Sequence, residues 1–343
     1  MTKSQIKIWL DADVGNDDAF AILLAIFNPR FKLLGISTVH GNAPTEMTTH
    51  NTLVVLDLLN VHDIKVYRGE ENPLFVEPTY ALNVHGKFGI GGIHIPETTK
   101  NQVEEGENYL QAMYKAICEN EGEICIVSTG TLTNIAKLIE KYPDVVDKIK
   151  YLSIMGGSFG FGNITPFAEF NFHTDPHAIQ FVLKKFKQSK IILSPLNLTH
   201  KVIATEQIRN DFYNELNPKK NSKLRESFFD ILMFYSLTYK KENDMSLGPP
   251  LHDPIAVYSL LPFMDNNFKE YGYIFTKKKL NVEINDNERL GECIYINEDD
   301  EDYNQEGVNI GENLDTHKFW RSLLNCLHSA DINVNKGSNF PEL

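Results

Sequence analysis

The order of apolar and polar segments is the feature that most limits how this chain can fold. Through about 200 residues, short apolar runs such as 6–10, 31–39 and 151–155 alternate with polar loops and helix-like segments. This order predicts a mostly parallel sheet with helices on both faces. We therefore expect an α/β fold in which residues 1–343 form a single domain. Past residue 200 the pattern changes, and we predict a short antiparallel addition over 271–297 and a closing helix over 315–330.

Composition narrows the functional classes. The chain has 343 residues, 42% of them hydrophobic, and a formal net charge of -13. The charge argues against nucleic-acid or anionic-membrane binding, and no apolar run reaches the length of a membrane span. Part of the charge lies in the acidic run 297–302, which is typical of a solvated loop. The four cysteines lack metal-binding spacing and indicate free thiols, so we expect a cytoplasmic protein.

Polar side chains follow the predicted strands where each strand ends. In a parallel sheet the ligand crevice lies beyond the carboxyl ends of the strands. We therefore expect Asp13, Asn42, Thr133, Met155 and Asn171 to gather at one rim.

Four carboxylates stand within eight residues after the first strand: Asp11, Asp13, Asp17 and Asp18. Like charges at close range raise one another's pKa values, and a bound divalent cation relieves that cost. Oxygen ligands alone favour Ca²⁺ or Mg²⁺. A solvated loop with a capping acid accounts for only one or two of the four.

Two known kinds of site also begin with closely spaced aspartates like those of this loop. An EF-hand loop beginning at Asp11 would need glycine at position 16 and glutamate at position 22, where this chain has Asn16 and Ile22. An EF-hand loop is also preceded by a helix, whereas a strand is predicted before Asp11. An EF-hand is therefore excluded. A phosphatase of the haloacid-dehalogenase type also places Asp-x-Asp after its first strand, and this alternative stays open.

A loop of about forty residues follows the third strand. Loops of that size in compact domains are usually functional or disordered. This one contains His85 and the glycine-rich segment 89–92, which favours a lid over an active site.

Several common sites are absent from the sequence. It has neither a phosphate-binding Gly-x-x-x-x-Gly-Lys-Ser/Thr loop nor a strand-linked Gly-x-Gly-x-x-Gly. Acids, amides and histidines remain, and these groups suit neutral ligands rich in hydroxyls.

Six motifs, taken in order, resemble the inosine/uridine-preferring nucleoside hydrolase family from residue 6 to about residue 260. They lie at 11–18, 41–42, 131–134, 155–157, 168–176 and 252–254. Longer strings, at 33–38, 195–201 and 248–254, look most like the fungal-type uridine nucleosidases. Two positions depart from the usual pattern, because many members have Pro where Val14 stands and Asp where Asn197 stands.

The resemblance implies a Ca²⁺ site. Asp13, Asp18, Asp253 and the backbone carbonyl of Thr133 would hold the ion, and Asp11 would support the loop without touching it. Asp13 would also take a proton from the attacking water.

The resemblance also implies substrate contacts. Asp17, Asn171 and Asn42 would bind the 2′ and 3′ side of the ribose, and Asn163 and Glu169 its 5′-hydroxyl. His252 would assist departure of the base, and His85 would reach the base from the mobile loop. Tyr235 or Tyr239 would line the base pocket, and the sequence does not choose between them. Met155 is a further candidate contact, with a core role as the alternative.

The expected activity is Ca²⁺-dependent hydrolysis of ribonucleosides to ribose and free base in nucleoside salvage. Uridine is the first candidate substrate, and cytidine, inosine and nicotinamide riboside are further candidates. The family suggests a homodimer or homotetramer. Two alternatives stay open at this point: the phosphatase, and a ribonucleoside- or calcium-binding protein without turnover.

Overall fold

An eight-stranded sheet forms the centre of the molecule. The computed structural model describes residues 3–214, 216–217, 221–243, 245–296 and 307–337. Its strands are β1 (Ile6–Ala12), β2 (Phe31–Thr38), β3 (Val66–Arg68), β4 (Cys125–Ser128), β5 (Tyr151–Met155), β6 (Ile191–Ser194), β7 (Ile274–Lys278), β8 (Leu280–Val282), β9 (Cys293–Tyr295) and β10 (Val308–Asn313).

The sheet has the order β3-β2-β1-β4-β5-β6-β10-β7. Every neighbouring pair is parallel except β10 and β7, which are antiparallel. Strands β8 and β9 form a separate antiparallel hairpin. The predicted mostly parallel sheet is therefore confirmed.

Helices cover both faces of the sheet, as predicted. They are α1 (Asp18–Phe27), α2 (Thr45–Leu58), α3 (Leu82–His85), α4 (Tyr109–Glu119), α5 (Thr133–Lys141), α6 (Val145–Lys148), α7 (Phe170–Thr174), α8 (Pro176–Lys185), α9 (Leu196–Thr199), α10 (Glu206–Phe212), α11 (Lys223–Asn243), α12 (Asp253–Asp265) and α13 (Thr316–Gly337). In the part of the chain that the structure describes, no helix is both long and apolar enough to cross a membrane.

Strand β1 shows how the sequence sets the two faces. Ile6, Ile8 and Leu10 enter the core that contains α1, α12 and α13, whereas Trp9 enters the core that contains α4, α5 and α8. Successive strand residues point to opposite faces, so a strand buried on both faces reads as a continuous apolar run. This explains the unbroken apolar run in the sequence.

The strand order reverses direction at β1. From β1 the chain continues outward through β2 and β3, and β4, β5 and β6 then extend the opposite side. A crevice opens at such a reversal, beyond the carboxyl ends of the two central strands. The acidic loop after β1 and the loop after β4 meet there, because Asp11 pairs with Ser128 at the ends of these strands.

The C-terminal addition differs in part from the prediction. The predicted antiparallel strands over 271–297 correspond to β7, β8 and β9, and the predicted closing helix corresponds to α13. Strand β10 was not predicted, and it lies between β6 and β7 as a parallel member of the main sheet. Its place depends on pairing with β6, more than 100 residues earlier, which a local pattern does not report. The acidic run 297–302 lies outside the described residues.

Candidate active site

The acidic loop joins β1 to α1 at the rim of the sheet. Asp18 begins α1, and its carboxylate accepts hydrogen bonds from the Gly15 backbone N–H (2.8 Å) and the Thr129 hydroxyl (2.8 Å). Negative charge in the first turn is favoured by the helix dipole. The sequence thus places one acid at a helix start and binds it to the loop after β4.

Three buried carboxylates share one point at this rim. One oxygen each from Asp17, Asp18 and Asp253 lies within 4.8 Å of the other two. Asp253 comes from the start of α12, 235 residues after Asp18, so the fold brings it to the acidic loop. We call this set the acid cluster. It contains two of the three carboxylates predicted for the metal, together with Asp17, which was predicted to contact the ribose.

Asp13 lies beside the acid cluster. Its Oδ2 accepts a hydrogen bond from the Asn42 backbone N–H at 2.8 Å, and its buried Oδ1 has no partner. The carboxylate lies against the backbone of two loops, because a Cβ on Gly41 or Gly130 would approach it to 2.0 or 2.8 Å. Glycine at these two positions is therefore required by the close approach of Asp13.

Burial raises the pKa values of all four acids, and the neighbouring carboxylates raise those of Asp13, Asp17 and Asp253 further. Desolvation is the main cause for each group, and it raises the pKa of Asp17 to about 7. The charges of Asp17, Asp18 and Asp13 further raise the pKa of Asp253 well above its ordinary value. Such a cluster holds protons at neutral pH unless a cation replaces them.

The residues present fit a hard divalent cation. The acid cluster offers three oxygen ligands around one point, and Asp13 Oδ1 is an additional buried oxygen without a partner. A buried acceptor left without a partner is costly, and a cation nearby would remove that cost. An all-oxygen set without histidine or cysteine suits Ca²⁺ or Mg²⁺ rather than Zn²⁺.

The metal contact predicted for the backbone carbonyl of Thr133 stays a prediction, and the hydroxyl of Thr133 is bonded to other residues. Its hydroxyl donates to Asp175 Oδ2 (2.7 Å) and lies 2.9 Å from His40 Nε2. Thr129 instead lines the cavity, and its hydroxyl binds Asp18. Both threonines follow β4, but Thr133 begins α5, whereas Thr129 lies in the preceding loop next to Asp18. The local sequence does not distinguish these two positions. Thr129, and not Thr133, therefore lines the cavity.

Asp11, near the end of β1, is bonded to residues of β2, of α5 and of the loop after β4. Its carboxylate accepts hydrogen bonds from Ser37 (2.5 Å) and Asn134 (2.7 Å), and its backbone carbonyl accepts one from the Thr129 N–H (2.9 Å). Burial raises the pKa of Asp11 to about 7. This position, outside the acid cluster, agrees with the supporting role that the resemblance implied.

A cavity opens above the acid cluster, and we call it the site cavity. Eleven of the predicted site residues line it: Asp17, Asn42, His85, Met155, Asn163, Glu169, Asn171, Tyr235, Tyr239, His252 and Asp253. The other four, Asp11, Asp13, Asp18 and Thr133, do not line the cavity.

The amides of the site cavity are bound to its frame. Asn42 donates through its side chain to Asp18 Oδ2 (3.2 Å), and Asn171 donates to the Thr129 carbonyl (2.8 Å). Asn171 Nδ2 also lies 3.6 Å from the Met155 sulfur at the end of β5. These contacts fix which way each amide points, so their remaining polar atoms can meet hydroxyls of a ligand.

Glu169 caps the short helix α7. Its carboxylate accepts hydrogen bonds from the backbone N–H groups of Gly157 (2.8 Å), Asn171 (2.9 Å) and Phe172 (3.2 Å). Desolvation nevertheless raises its pKa to about 7. Asn163, in the same loop, accepts a hydrogen bond from the Phe170 N–H at 2.8 Å. Both predicted 5′ contacts therefore belong to one loop, residues 156–169.

His252 precedes Asp253 and is buried with both ring nitrogens bound. Nε2 lies 2.7 Å from the Tyr239 hydroxyl, and Nδ1 lies 2.7 Å from the Thr199 hydroxyl. Burial and the neighbouring His200 and His85 depress the pKa of His252 well below its ordinary range, so the ring is neutral. Tyr239 is the tyrosine that touches this histidine.

The long loop after β3 folds over the site cavity. It contains α3, and the Nδ1 of His85 accepts a hydrogen bond from the Asn16 backbone N–H at 3.0 Å. The neutral ring therefore carries its proton on Nε2. Its pKa is lowered to about 3 by burial, and its ring centroid lies 5.6 Å from that of Tyr235. Asn16 also bonds Gly91 and Ile231, which ties this loop to α11.

Several residues of the site were not singled out in the sequence. Tyr80, Phe170 and Thr129 line the site cavity, and Thr199 holds His252. Thr199 stands in the segment 195–201, which carried part of the family resemblance, and this was the one signal available for it. Tyr80 belongs to an irregular loop, where no periodicity reports which side chains turn inward.

Comparisons with known proteins agree with this geometry. The model of the inosine-uridine preferring nucleoside hydrolase family matches residues 8–321. A uridine nucleosidase of Saccharomyces cerevisiae is 40% identical over 345 aligned residues, covering 96% of this chain and 98% of the relative. The pyrimidine-specific ribonucleoside hydrolase RihA of an Escherichia coli strain is 36% identical, covering 75% of this chain and 79% of the relative.

A solved structure shows the same fold. The purine-preferring ribonucleoside hydrolase from Gardnerella vaginalis superposes with a TM-score of 0.84 and 25% identity, over 95% of this chain and 99% of that one. The chain therefore belongs to the inosine-uridine preferring nucleoside hydrolase family. It is a nucleoside hydrolase, an enzyme that cleaves ribonucleosides, and the phosphatase and non-catalytic alternatives are set aside.

Proposed function

We propose that this nucleoside hydrolase depends on Ca²⁺ and acts on uridine in nucleoside salvage. The observation that carries the metal requirement is the acid cluster, whose three oxygens lie within 4.8 Å of one another beside the unpartnered Oδ1 of Asp13. The base preference is supported by the two relatives named as a uridine nucleosidase and a pyrimidine-specific hydrolase. Cytidine, inosine and nicotinamide riboside are the other candidates.

The bound cation would orient the attacking water and lower the pKa of its proton. Asp17, Asp18 and Asp253 would hold it, with Asp13 at its side. Asp13 would accept the proton that the water loses, because its buried Oδ1 has no other hydrogen-bond partner and lies beside the acid cluster.

The ribose is aligned through its hydroxyls. Asn42, Asn171 and the cluster carboxylates bind the 2′ and 3′ side, and Asn163 and Glu169 bind the 5′-hydroxyl. Cleavage of an N-glycosidic bond passes through an oxocarbenium-like state, so these buried carboxylates stabilise the positive charge that develops on the sugar. Holding three hydroxyls turns binding energy into alignment.

The leaving base takes a proton from the His252 and Tyr239 pair. The neutral ring of His252 is bonded to the Tyr239 hydroxyl. The pair gives one proton to the leaving nitrogen and regains one from solvent after the base departs, which balances the proton that the attacking water loses. His85 also lines the site cavity, and its Nε2–H is a second donor available to the base. Proton donation of this kind contributes about 10²- to 10⁴-fold to rate.

Charge on the cavity wall favours nucleosides over nucleotides. Among the described residues that line the site cavity there is no lysine or arginine, while Asp17, Glu169 and Asp253 are acidic. A 5′-phosphate beside Glu169 would meet like charge without compensation. The cytoplasmic location and the homodimer or homotetramer stay predictions.

One assay tests the proposal. Ribose is measured as reducing sugar with uridine, cytidine, inosine, adenosine and nicotinamide riboside, after chelation and after restoring Ca²⁺ or Mg²⁺. We expect uridine hydrolysis that vanishes on chelation and returns with Ca²⁺. Equal or higher activity on adenosine contradicts the base preference, and activity that survives chelation contradicts the metal requirement.

A further inference from the structure

The β8–β9 hairpin, residues 280–295, packs on the loop that carries both predicted 5′ contacts. The ring of Tyr295 stacks on that of Phe159 with centroids 4.9 Å apart and planes 2° from parallel. The Cys293 thiol lies behind Gly157, where an added Cβ would come within 2.8 Å of its sulfur. Both contacts fall on the 156–169 loop, on the side away from the site cavity.

Two further contacts extend this packing to the rest of the loop. The guanidinium of Arg289 lies 4.5 Å from the ring centroid of Phe167. The backbone carbonyl of Leu290 accepts a hydrogen bond from His173 Nδ1 at 2.9 Å, and Gly291 lies directly against the backbone of His173 in α7. The hairpin therefore contacts both ends of the 156–169 loop and also the helix α7 that follows the loop.

A second clamp holds Phe159, the residue on which Tyr295 stacks. Asn197 accepts from the Phe159 N–H (2.9 Å) and donates to the Phe159 carbonyl (3.0 Å). An aspartate at this position would lose the second bond, because an ionised carboxylate only accepts hydrogen bonds. Backbone and ring of Phe159 are thus fixed by two separate elements.

We propose that Tyr295 is a positioning residue for 5′-hydroxyl recognition, acting through Phe159 on the loop that carries Asn163 and Glu169. The inference rests on the proposed contact between that loop and the ribose. Tyr295 itself is 46% exposed and does not line the site cavity, so its effect on the substrate is indirect. Recognition of a hydroxyl requires that its hydrogen-bond partners are held closely in place. If the 156–169 loop is loosened, the enzyme should lose its preference for substrates that carry a 5′-hydroxyl.

The test compares Tyr295→Ala with the matched control Tyr295→Phe, which keeps the stacked ring. For each protein kcat/KM is measured with uridine and with 5′-deoxyuridine. We expect Tyr295→Ala to lower the value for uridine about three- to tenfold, the worth of one hydrogen bond, and to leave 5′-deoxyuridine within about twofold. Tyr295→Phe should match the wild type on both substrates.

Hydrogen exchange supplies a readout that needs no turnover. The amides of Gly157, Phe170 and Asn171, which bond Glu169 and Asn163, should exchange faster in Tyr295→Ala than in Tyr295→Phe. Equal losses on both substrates, or unchanged exchange at these amides, would overturn the inference. If the wild type hydrolyses no ribonucleoside, the proposed function fails, and the exchange rates still decide whether the hairpin holds the loop.

Discussion

The hydroxyl of Tyr239 lies 2.7 Å from Nε2 of His252, and this contact joins α11 to the start of α12 above the acid cluster. The neutral histidine and the tyrosine both line the site cavity. Because His252 is followed directly by Asp253, one short segment would supply, in the proposed mechanism, both a proton for the base and an oxygen for the cation.

Replacing His252 should affect poor leaving groups most. His252→Ala is expected to slow uridine hydrolysis by about 10²- to 10⁴-fold. An aryl riboside that releases nitrophenolate needs no proton, so its hydrolysis should change far less. Tyr239→Phe keeps the ring and should show a smaller loss with the same dependence on leaving group. Equal losses on uridine and the aryl riboside would show that His252 acts only on binding or folding.

Asp13 is expected to be indispensable for the chemical step. Its Oδ1 is buried without a hydrogen-bond partner beside the acid cluster. Asp13→Ala should lower kcat with uridine by several orders of magnitude, and Glu119→Gln, at an exposed site on α4, should have no effect. Near-normal turnover in Asp13→Ala would refute the assignment.

The two threonines after β4 should separate in their effects. Thr129→Val removes the hydroxyl that holds Asp18 and should weaken Ca²⁺ binding about 10- to 100-fold, as is typical of groups that orient ligands. Thr133→Val removes the bonds to Asp175 and His40 and should lower the free energy of unfolding with little change in Ca²⁺ affinity. Calorimetric titration with Ca²⁺ and chemical denaturation measure the two quantities. If Thr133→Val weakened Ca²⁺ binding and Thr129→Val did not, the metal contact would belong to Thr133.

Glu169 should make stability depend on pH. Its pKa is about 7 in the fold against 4.5 when exposed, so the folded protein binds the proton more tightly. Stability from this group is fully present below pH 4.5 and is lost as the pH rises to 7, by about 3 kcal/mol. Denaturant unfolding of the wild type in chelator should show this loss relative to Glu169→Gln between pH 5 and 7.5. Parallel curves for the two proteins would contradict the raised pKa.

The order of apolar and polar segments along the chain predicted the strands and the polar rim of the sheet. The apolar runs predicted the strands because strands buried on both faces are apolar throughout, and the polar residues after them predicted the rim. The family resemblance then supplied the site residues, most of which line one cavity. The treatment of residues 1–343 as a single domain stays a prediction.

The differences come from long-range geometry. The pairing of β10 with β6 and the choice between Thr129 and Thr133 depend on how distant segments meet, and neither leaves a mark in a short window. The same holds for Tyr239, because α11 offers two tyrosines one turn apart, and only the packing of α12 shows which one meets His252.

Binding of Ca²⁺ to the chelated protein tests the central claim most directly. We predict that calorimetric titration finds one Ca²⁺ per chain, and that ribose release from uridine returns in proportion to the ion bound. Asp253→Asn, which keeps the shape of the side chain, should bind no Ca²⁺ at the same concentrations and release no ribose. A chelated protein that takes up no Ca²⁺ and still hydrolyses uridine at an undiminished rate would contradict the account.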